Sequence, residues 1–332
     1  MLYKNNRNEK RDNIVNPSVL MTDTIFPDTL VEQDVFQKES IDFRLSPSGE
    51  LASLGELGKD ADALLVVYAD VSAELIEQLD RCKIIVKAGI GYNNIDVEAA
   101  SRKGIIVANV PDYCQDEVAD HTFGMFLALV RKICHLDSQV KQGVWNANQA
   151  KSVPQLRGKK FGLLGCGAIG QQVALRARAF GLEVVGYDPY SSPDLLAQHH
   201  ISQIEDFDEF LHEVDFLSLH LPLTEDTRHI LNKSTLSKMK ETSVVINTSR
   251  GGLIQENDLF TALIEGRLAG AAMDVLEKEP PEGAPELSSL DNVVITPHTA
   301  FLSQDSVAAL RKKASQEIVR TIRNGKASNP VN

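Results

Sequence analysis

The apolar positions of the chain fall into short runs separated by longer amphipathic or polar segments. The first series of runs lies at 18–22, 41–44, 63–67, 84–87 and 105–109. The second series lies at 161–165, 183–187, 214–219, 243–248, 269–275 and 292–296. Strand-type runs that alternate with helix-type segments predict parallel βαβ units. The pattern therefore indicates an α/β fold, and the six runs of the second series match a doubly wound dinucleotide-binding sheet.

Two stretches outside these runs have a helical pattern. Apolar residues recur through 116–142, which predicts one long helix, and the Ala-rich and charged stretch 304–324 predicts a helix near the end of the chain. The polar residues 1–17 contain no apolar segment of the kind found in signal peptides. We expect them to form a flexible extension in front of the first strand.

Composition and charge limit the functions open to such a chain. Its 332 residues suffice for one large or two medium domains. The net charge of −12 argues against a nucleic-acid-binding surface, and the longest apolar stretch, FGMFLALV, is too short to span a membrane. The four cysteines lack metal-ligand spacing. We therefore expect a cytoplasmic protein with reduced thiols and no metal site.

A glycine fingerprint lies at the end of the run 161–165. Gly165-Cys166-Gly167-Ala168-Ile169-Gly170 has the GxGxxG spacing and opens a helix-type segment. In this context the glycines allow a tight turn, and backbone N–H groups at the helix N-terminus approach a pyrophosphate. Asp188 ends the next run, where a carboxylate accepts hydrogen bonds from a ribose diol and repels a 2′-phosphate. The pattern predicts an NAD(H) site rather than an NADP(H) site.

A second segment at the same predicted sheet edge is His220–Leu223, which follows the run 214–219. Pro222 and its neighbours are placed to line the adenosine side of a dinucleotide. A strand that ends at a proline, with a histidine of purely structural role, explains His220 equally well.

Three polar residues follow the last three runs: Arg250, Glu279 and His298. The carboxyl edge of a parallel sheet is where ligands bind. An imidazole there suits proton transfer, a carboxylate can bond the other ring nitrogen and fix its tautomer, and a guanidinium presents a planar fork of donors to a substrate carboxylate. Each residue alone also fits a structural or solvated position, so the prediction depends on all three lying at one edge.

The motifs that contain these residues resemble those of the D-isomer-specific 2-hydroxyacid dehydrogenases. They occur in the order GxGxxG with Asp188, HLPLTEDTRHIL, MKETSVVINTSRGGLI, AGAAMDVLEKEPP and NVVITPHTA. The resemblance extends from about Val19 to the end of the chain. It implies an enzyme that interconverts a 2-oxo acid and a D-2-hydroxy acid with NAD. It also implies Arg250 as substrate anchor, Glu279 as partner of the histidine and His298 as acid/base.

The resemblance implies further contacts to the cofactor and the substrate. Cofactor contacts are implied for Ala168, Ile169, Asp188, Thr248, Asp274 and the backbone of His298–Ala300. The segment KAGIGYNNID resembles the substrate loop of the family, so the backbone at Ala88, Gly89, Ile90 and Gly91 is expected to bind the substrate carboxylate. Tyr68, Tyr113 and Phe301 are further candidates for the substrate pocket. A glycine turn after a buried strand, or core packing of Phe301, is compatible with the same residues.

The resemblance also implies the domain organisation. A Rossmann NAD domain, 112–301, is expected to be inserted into a flavodoxin-like substrate domain formed by 18–111 and 302–332. Dimerisation through the NAD domain, including the region 118–145, is typical of relatives, although an apolar helix there equally fits core packing. The end of the chain resembles the branch that contains the C-terminal-binding-protein corepressors and related bacterial dehydrogenases.

The same residues are compatible with two other functions. A corepressor-like protein that binds NAD(H) without turnover would retain the same residues, although the chain lacks long partner-binding tails. Phosphite oxidation on the same fold also uses an Arg-Glu-His set, whereas formate enzymes of the family have Gln in place of Glu279. The side group of a 2-oxo acid substrate is not defined by these motifs.

Overall fold

A computed structural model describes residues 16–150 and 153–332 of the chain. It contains two compact units: one runs up to Tyr113 and resumes at Ala308, and the other is Cys114–Val307. The predicted domain bounds, 18–111 with 302–332 and 112–301, stay a prediction. They differ from these units by two residues at the first boundary and six at the second. The expected extension 1–17 lies outside the described residues except for its last two positions.

The first unit is built on a five-stranded parallel sheet in the order β2-β1-β3-β4-β5. Its strands are β1 (Ser18–Met21), β2 (Asp42–Leu45), β3 (Ala63–Val66), β4 (Ile84–Lys87) and β5 (Ile106–Ala108). Its first four helices are α1 (Leu30–Lys38), α2 (Leu51–Gly58), α3 (Ala73–Glu77) and α4 (Val97–Arg102). This order is that of flavodoxin-like folds. All residues of β3 and β4 are buried, which explains why both strands are continuous apolar runs in the sequence.

The second unit is built on a seven-stranded parallel sheet in the order β12-β11-β10-β9-β6-β7-β8. Its strands are β6 (Lys160–Leu164), β7 (Glu183–Tyr187), β8 (Ser202–Gln203), β9 (Phe216–Leu219), β10 (Val244–Asn247), β11 (Gly270–Met273) and β12 (Val293–Ile295). The order reproduces the doubly wound dinucleotide fold with one added strand, β12. The two-sheet α/β fold predicted from the sequence is confirmed. The sequence pattern missed β8, because its two residues are polar and form no apolar run.

This unit also contains the remaining helices, several of which pack on its sheet. They are α5 (Gln115–Val130), α6 (Ile133–Lys141), α7 (Ala168–Ala179), α8 (Pro193–Gln198), α9 (Phe207–Glu213), α10 (Lys233–Leu236), α11 (Glu256–Ile264) and the start of α12 (Gln304–Asn324), with 3-10 turns at Ala147–Gln149, Gly251–Leu253 and Glu286–Ser289. Phe126 of α5 packs edge-on against Phe161 and Phe216, with ring centroids 5.2 and 4.8 Å apart. No helix within 16–150 and 153–332 is long and apolar enough to cross a membrane.

The prediction of one helix over 116–142 is wrong. The helix ends at Val130, and Lys132 has the left-handed backbone conformation with φ 58° before α6 begins. The two pieces also differ in burial, since half of the residues of α5 are buried and none of α6 is. An apolar repeat that continued through the break concealed this change of direction.

The predicted C-terminal helix is confirmed as α12, whose residues from Ala308 belong to the first unit. Arg311 of this helix is 7% exposed and forms a two-pronged ion pair with Glu32 of α1, which is fully buried. Its guanidinium also donates to the Asp28 carboxylate at 2.9 Å. A buried charge left without its partner is strongly destabilising, so this pair fixes α12 to the rest of the unit.

Candidate active site

Three neighbouring strands of the second sheet precede the candidate catalytic residues. β10, β11 and β12 are adjacent, parallel and matched in register at their ends. Arg250, Glu279 and His298 follow them in that order. Parallel strands with matched register end at one edge of the sheet, so the three loops start side by side at the edge where ligands bind.

The loops that carry Arg250 and Glu279 contact each other directly. A Cβ atom at Gly251 would lie 1.9 Å from the backbone of Leu276, so the close approach requires glycine. The side chain of Asn247, at the end of β10, donates to the carbonyl oxygen of Arg250 at 2.8 Å. These two contacts fix the backbone from which the guanidinium of Arg250 projects.

His298 and Glu279 form a hydrogen-bonded pair. Glu279 Oε2 lies 2.6 Å from His298 Nδ1, and Glu279 Oε1 accepts from the backbone N–H of Leu276 at 2.8 Å. The carboxylate therefore favours the tautomer with a proton on Nδ1 and orients the ring. Nε2 is then the nitrogen suited to exchange a proton with a substrate. The side chains are 32% and 33% exposed, which leaves the pair accessible. Phe301 lies edge-on to the imidazole, with 6.5 Å between ring centroids.

The buried carboxylate of Asp274 holds the backbone that follows His298. Its Oδ1 accepts from the N–H of Thr299 and its Oδ2 from the N–H of Ala300, both at 2.9 Å. Thr296 Oγ1 lies 2.5 Å from Oδ1, and His121 Nε2 lies 3.5 Å from it. Burial raises the pKa of Asp274, but the nearby His121 and the hydrogen bonds from Thr296 and the two amides outweigh it and hold this pKa below its usual range.

The glycine fingerprint has the geometry of a dinucleotide cradle. Gly165 has φ 94°, and a Cβ there would meet the carbonyl oxygen of His220 at 2.6 Å. Gly167 precedes α7, has open space around it, and leaves the helix N-terminus without a side-chain cap. A Cβ at Gly170 would meet the carbonyl of Gly165 at 2.6 Å. The three glycines thus permit a turn, an open approach to the helix N-terminus and close helix-strand packing.

Asp188 closes this cradle at the end of β7. Its carboxylate accepts from the backbone N–H of Cys166 and from Ser191 Oγ, at 2.8 and 2.9 Å, and from the backbone N–H of Tyr190 at 2.9 Å. Burial raises the pKa of Asp188, but these hydrogen bonds together lower it below its ordinary value. An ionised carboxylate therefore lies beside the fingerprint, where it opposes a second negative charge.

His220 also fits a bound dinucleotide. Its Nδ1 is buried and has no hydrogen-bond partner among the residues that the structure describes, while Nε2 lies 2.9 Å from Ser218 Oγ. Burial lowers the pKa of His220 to about 3, so the ring is neutral near pH 7. Buried polar atoms in folded proteins almost always have a hydrogen-bond partner. A ligand bound against the fingerprint would supply a partner for Nδ1 of His220. Pro222, two residues on, is exposed at the same edge.

The second unit matches a family of known enzymes. The model of the D-isomer specific 2-hydroxyacid dehydrogenase NAD binding domain matches residues 123–300. The chain belongs to the D-isomer specific 2-hydroxyacid dehydrogenase family. A D-3-phosphoglycerate dehydrogenase from Methanocaldococcus jannaschii is 41% identical over 275 residues, 82% of this chain and 52% of that protein. A hydroxypyruvate reductase from Thermotoga maritima is 41% identical over 266 residues, 79% of this chain and 84% of that protein.

A solved structure supports the assignment over nearly the whole chain. The structure of a glyoxylate reductase from Paecilomyes thermophila matches with a TM-score of 0.88 at 28% identity, covering 95% of this chain and 98% of that one. The predictions of the family and of an NAD-binding oxidoreductase fold are confirmed. The resemblance to the corepressor branch stays a prediction.

The other residues expected to contact the cofactor lie at the start of α7 and in the loops after β10 and β12. Ala168 and Ile169 form the first turn of α7. Thr248 follows β10 and is 8% exposed, and its hydroxyl oxygen lies 2.7 Å from that of Thr122 on α5. Ala300 is buried and held by Asp274, as described above. The side chains of these two polar cofactor candidates, Thr248 and Asp274, are thus bonded within the protein.

The substrate candidates in the first unit lie at the carboxyl edge of its sheet. The loop 88–91 directly follows β4, Tyr68 follows β3, and Tyr113 follows β5. Asp23 shapes this edge, since its carboxylate accepts from the backbone N–H of Tyr68 at 2.6 Å. The ammonium of Lys87 donates to the carbonyl of Val67 and lies 5.3 Å from the centroid of the Tyr68 ring.

Sequence reasoning missed three residues near these sites: His121, Thr296 and Lys87. His121 is in the middle of a helix whose pattern reads as core, and Thr296 was assigned to the end of a strand. A polar residue on an otherwise apolar helix face is the signal that marks His121. Among the residues described, no three His, Cys, Asp or Glu side chains gather to hold a metal ion.

Proposed function

We propose that this protein is an NAD(H)-dependent dehydrogenase that interconverts a 2-oxo acid and a D-2-hydroxy acid. The observation that carries the proposal is the His298–Glu279 pair, with 2.6 Å between Nδ1 and Oε2, on loops next to that of Arg250. Family membership and the nucleotide-type cradle at Gly165–Gly170 support it. Pairing of this kind is the arrangement of a general acid/base oriented by a carboxylate.

Arg250, His298 and Glu279 have separate roles in this reaction. Arg250 binds the substrate carboxylate through its planar fork of N–H donors and draws electron density from the adjacent carbonyl. His298, protonated at both nitrogens, donates its Nε2 proton to the carbonyl oxygen, and Glu279 stabilises the charged ring. When bound, NADH supplies the hydride that the carbonyl carbon accepts. In the reverse reaction His298 removes the proton from the hydroxyl group.

The substrate is a small 2-oxo acid. We propose that the backbone at Ala88–Gly91 binds its carboxylate and that Tyr68, Tyr113 and Phe301 contact its side group. Phe301 supports this assignment, since its ring lies beside the imidazole of His298. The named relatives reduce or oxidise acids with and without a phosphate group, so the side group is to be found with a panel of acids.

The cofactor is proposed to be NAD(H) rather than NADP(H). The support is the ionised Asp188 beside the fingerprint, held by four hydrogen bonds. A 2′-phosphate next to this carboxylate would place like charges together in a partly buried site. The residues that follow, Pro189 and Tyr190, offer no cation to offset that repulsion.

A homodimer through the NAD domain is proposed from the surface of α6. Ile133, Val140 and Val144 are 54%, 48% and 36% exposed, and Trp145 is 89% exposed. Four large apolar side chains exposed on one short segment mark an interaction surface. None of the residues of α6 is buried within its own unit, so the helix is available to pack against a second copy.

Substitution of the three catalytic candidates tests the reaction. We expect His298→Ala to lower kcat for 2-oxo acid reduction by about 100-fold or more, because the positioned acid is lost. We expect Glu279→Gln to have a smaller effect on kcat, and Arg250→Ala to raise KM and lower kcat/KM most, since it also anchors the substrate. The assay is NADH oxidation with a panel of 2-oxo acids, and NADH binding is measured separately by fluorescence.

His229→Ala is the matched control. His229 is also paired with a glutamate, Glu277, and is 34% exposed, close to the 32% of His298. Its removal should change kcat by less than about threefold. Near-normal turnover in His298→Ala, with NADH bound normally, would show that another group transfers the proton.

Cofactor preference is tested with Asp188→Asn, which removes the charge and keeps the shape. The wild-type protein should prefer NADH over NADPH by about 100-fold in kcat/KM, which corresponds to about 2.7 kcal/mol. In the variant, the ratio of kcat/KM with NADH to kcat/KM with NADPH should be at least about tenfold smaller. Asp194→Asn, an exposed carboxylate nearby on α8, should leave the ratio unchanged. Equal use of the two cofactors by the wild type would contradict the role given to Asp188.

The dimer is tested by mass in solution. Light scattering of the wild type should give a mass twice the 36.5 kDa of one chain. The double variant Ile133→Glu, Val140→Glu should give the mass of a single chain. Charged side chains buried in an apolar interface are costly, which is the reason for the expected dissociation. Ile264→Glu changes an equally exposed isoleucine on α11 and should remain dimeric. A monomeric wild type, or equal dissociation by the control, would refute the proposed surface.

A further inference from the structure

A chain of three polar side chains connects helix α5 to the loop that carries His298. His121 Nε2 lies 2.9 Å from Thr296 Oγ1, and Thr296 Oγ1 lies 2.5 Å from Asp274 Oδ1. We propose that His121 is a positioning residue for the acid/base His298 and acts through Thr296 and Asp274. The inference rests on the proposed function, because it assigns His121 to the same reaction.

The direction of the hydrogen bonds follows from the number of protons. Asp274 is ionised, since its pKa lies below the usual range, so its carboxylate only accepts. The single hydroxyl proton of Thr296 therefore points to Asp274, its nearer and charged acceptor, rather than to Met125 Sδ at 3.4 Å. The 2.9 Å contact on the other side of this oxygen must then be donated by His121, which requires a proton on Nε2. One donor thus polarises the next along the chain.

Asp274 also forms hydrogen bonds to the loop that carries His298. Its carboxylate accepts from the amides of Thr299 and Ala300, and its backbone carbonyl accepts from the N–H of His298 at 2.7 Å. His298 itself has a left-handed backbone, with φ 53°, which is unfavourable for a residue other than glycine. A strained conformation persists only where surrounding contacts determine it. Here Asp274 supplies three of them, beside the carbonyl of Thr296, 3.1 Å from the N–H of His298, and the carboxylate of Glu279.

His121 is well placed to support Asp274 because its helix is rigidly packed. Neighbouring residues of α5, including Val118, Thr122 and Met125, are buried in the core of the second unit. The imidazole is 27% exposed and lies 3.5 Å from Asp274 Oδ1. It contributes a donor beside a buried carboxylate whose other donors are two backbone amides and the hydroxyls of Thr296 and, at 3.5 Å, Thr299. Loss of this donor weakens the hold on the His298 backbone without removing any group that contacts the substrate.

The expected consequence is a loss of turnover with little change in binding. His121→Leu keeps a side chain of similar size and removes the donor, so we expect kcat to fall about tenfold while KM and NADH affinity change less than about twofold. His121→Gln places an amide N–H near the position of Nε2 and should restore kcat to within about threefold of the wild type. His212→Leu, an exposed histidine on α9, is the control and should keep wild-type kcat.

A double-mutant cycle tests whether His121 acts through Thr296. Thr296→Val breaks the chain at its middle, so adding His121→Leu to it should lower kcat by no more than about a further twofold. The proposal is overturned if His121→Leu keeps kcat within about twofold of the wild type, if His121→Gln is as slow as His121→Leu, or if the two losses multiply.

A measurement without turnover separates this inference from the proposed function. The ring resonances of His298, recorded by NMR on histidine-labelled full-length protein and assigned with His298→Gln, should shift in His121→Leu and return in His121→Gln. A protein that reduces no 2-oxo acid but shows this pattern would contradict the proposed function alone. Resonances of His298 that do not respond to His121→Leu would contradict the positioning role, whatever the activity.

Discussion

The buried carboxylate of Asp274 is the constraint on which the candidate active site depends. Burying a charge is costly unless hydrogen bonds compensate for it. Here two hydroxyls and two backbone amides donate to the carboxylate, with an imidazole nearby. Because the pKa of Asp274 is lowered, it stays ionised near neutral pH. Its contacts help to hold the strained backbone of His298, whose ring is in turn bonded by Glu279.

The parallel sheet brings the remaining groups to this point. β10, β11 and β12 end at one edge with matched register, so residues far apart in sequence start from neighbouring positions. Close backbone packing at Gly251 then joins the loops of Arg250 and Glu279. The positions of Arg250, His298 and Glu279 thus depend on backbone geometry as well as on the contact between the side chains of His298 and Glu279.

The sequence predicted the parts of this arrangement that have a local pattern. Buried parallel strands are continuous apolar runs, so eleven of the twelve observed strands could be located to within a residue or two of their bounds. The residues that follow them, including Arg250 and His298, could be located with them. The fingerprint at Gly165–Gly170 was recognisable because its strand, turn and helix are contiguous. The helix α12 was found at its observed bounds because its composition changes at both ends.

Features that depend on tertiary contacts were not visible. The strand β8 is defined by pairing with β7 rather than by apolar residues, and the break between α5 and α6 depends on the backbone of Lys132. The contact from His121 to Thr296 spans 175 positions, so no spacing rule reveals it. Asp274 was expected to contact the cofactor, and its role in holding the loop of His298 emerged only from the folded geometry.

The pH dependence of kcat/KM in both directions of the reaction tests the central claim most directly. If His298 is the acid/base, reduction of the 2-oxo acid should slow as pH rises, because the proton donor is lost. Oxidation of the 2-hydroxy acid should slow as pH falls, because the proton acceptor is lost. Both dependences should be absent from the residual activity of His298→Gln. Profiles that change in the same direction for the two reactions, or that persist in His298→Gln, would contradict the assignment of His298.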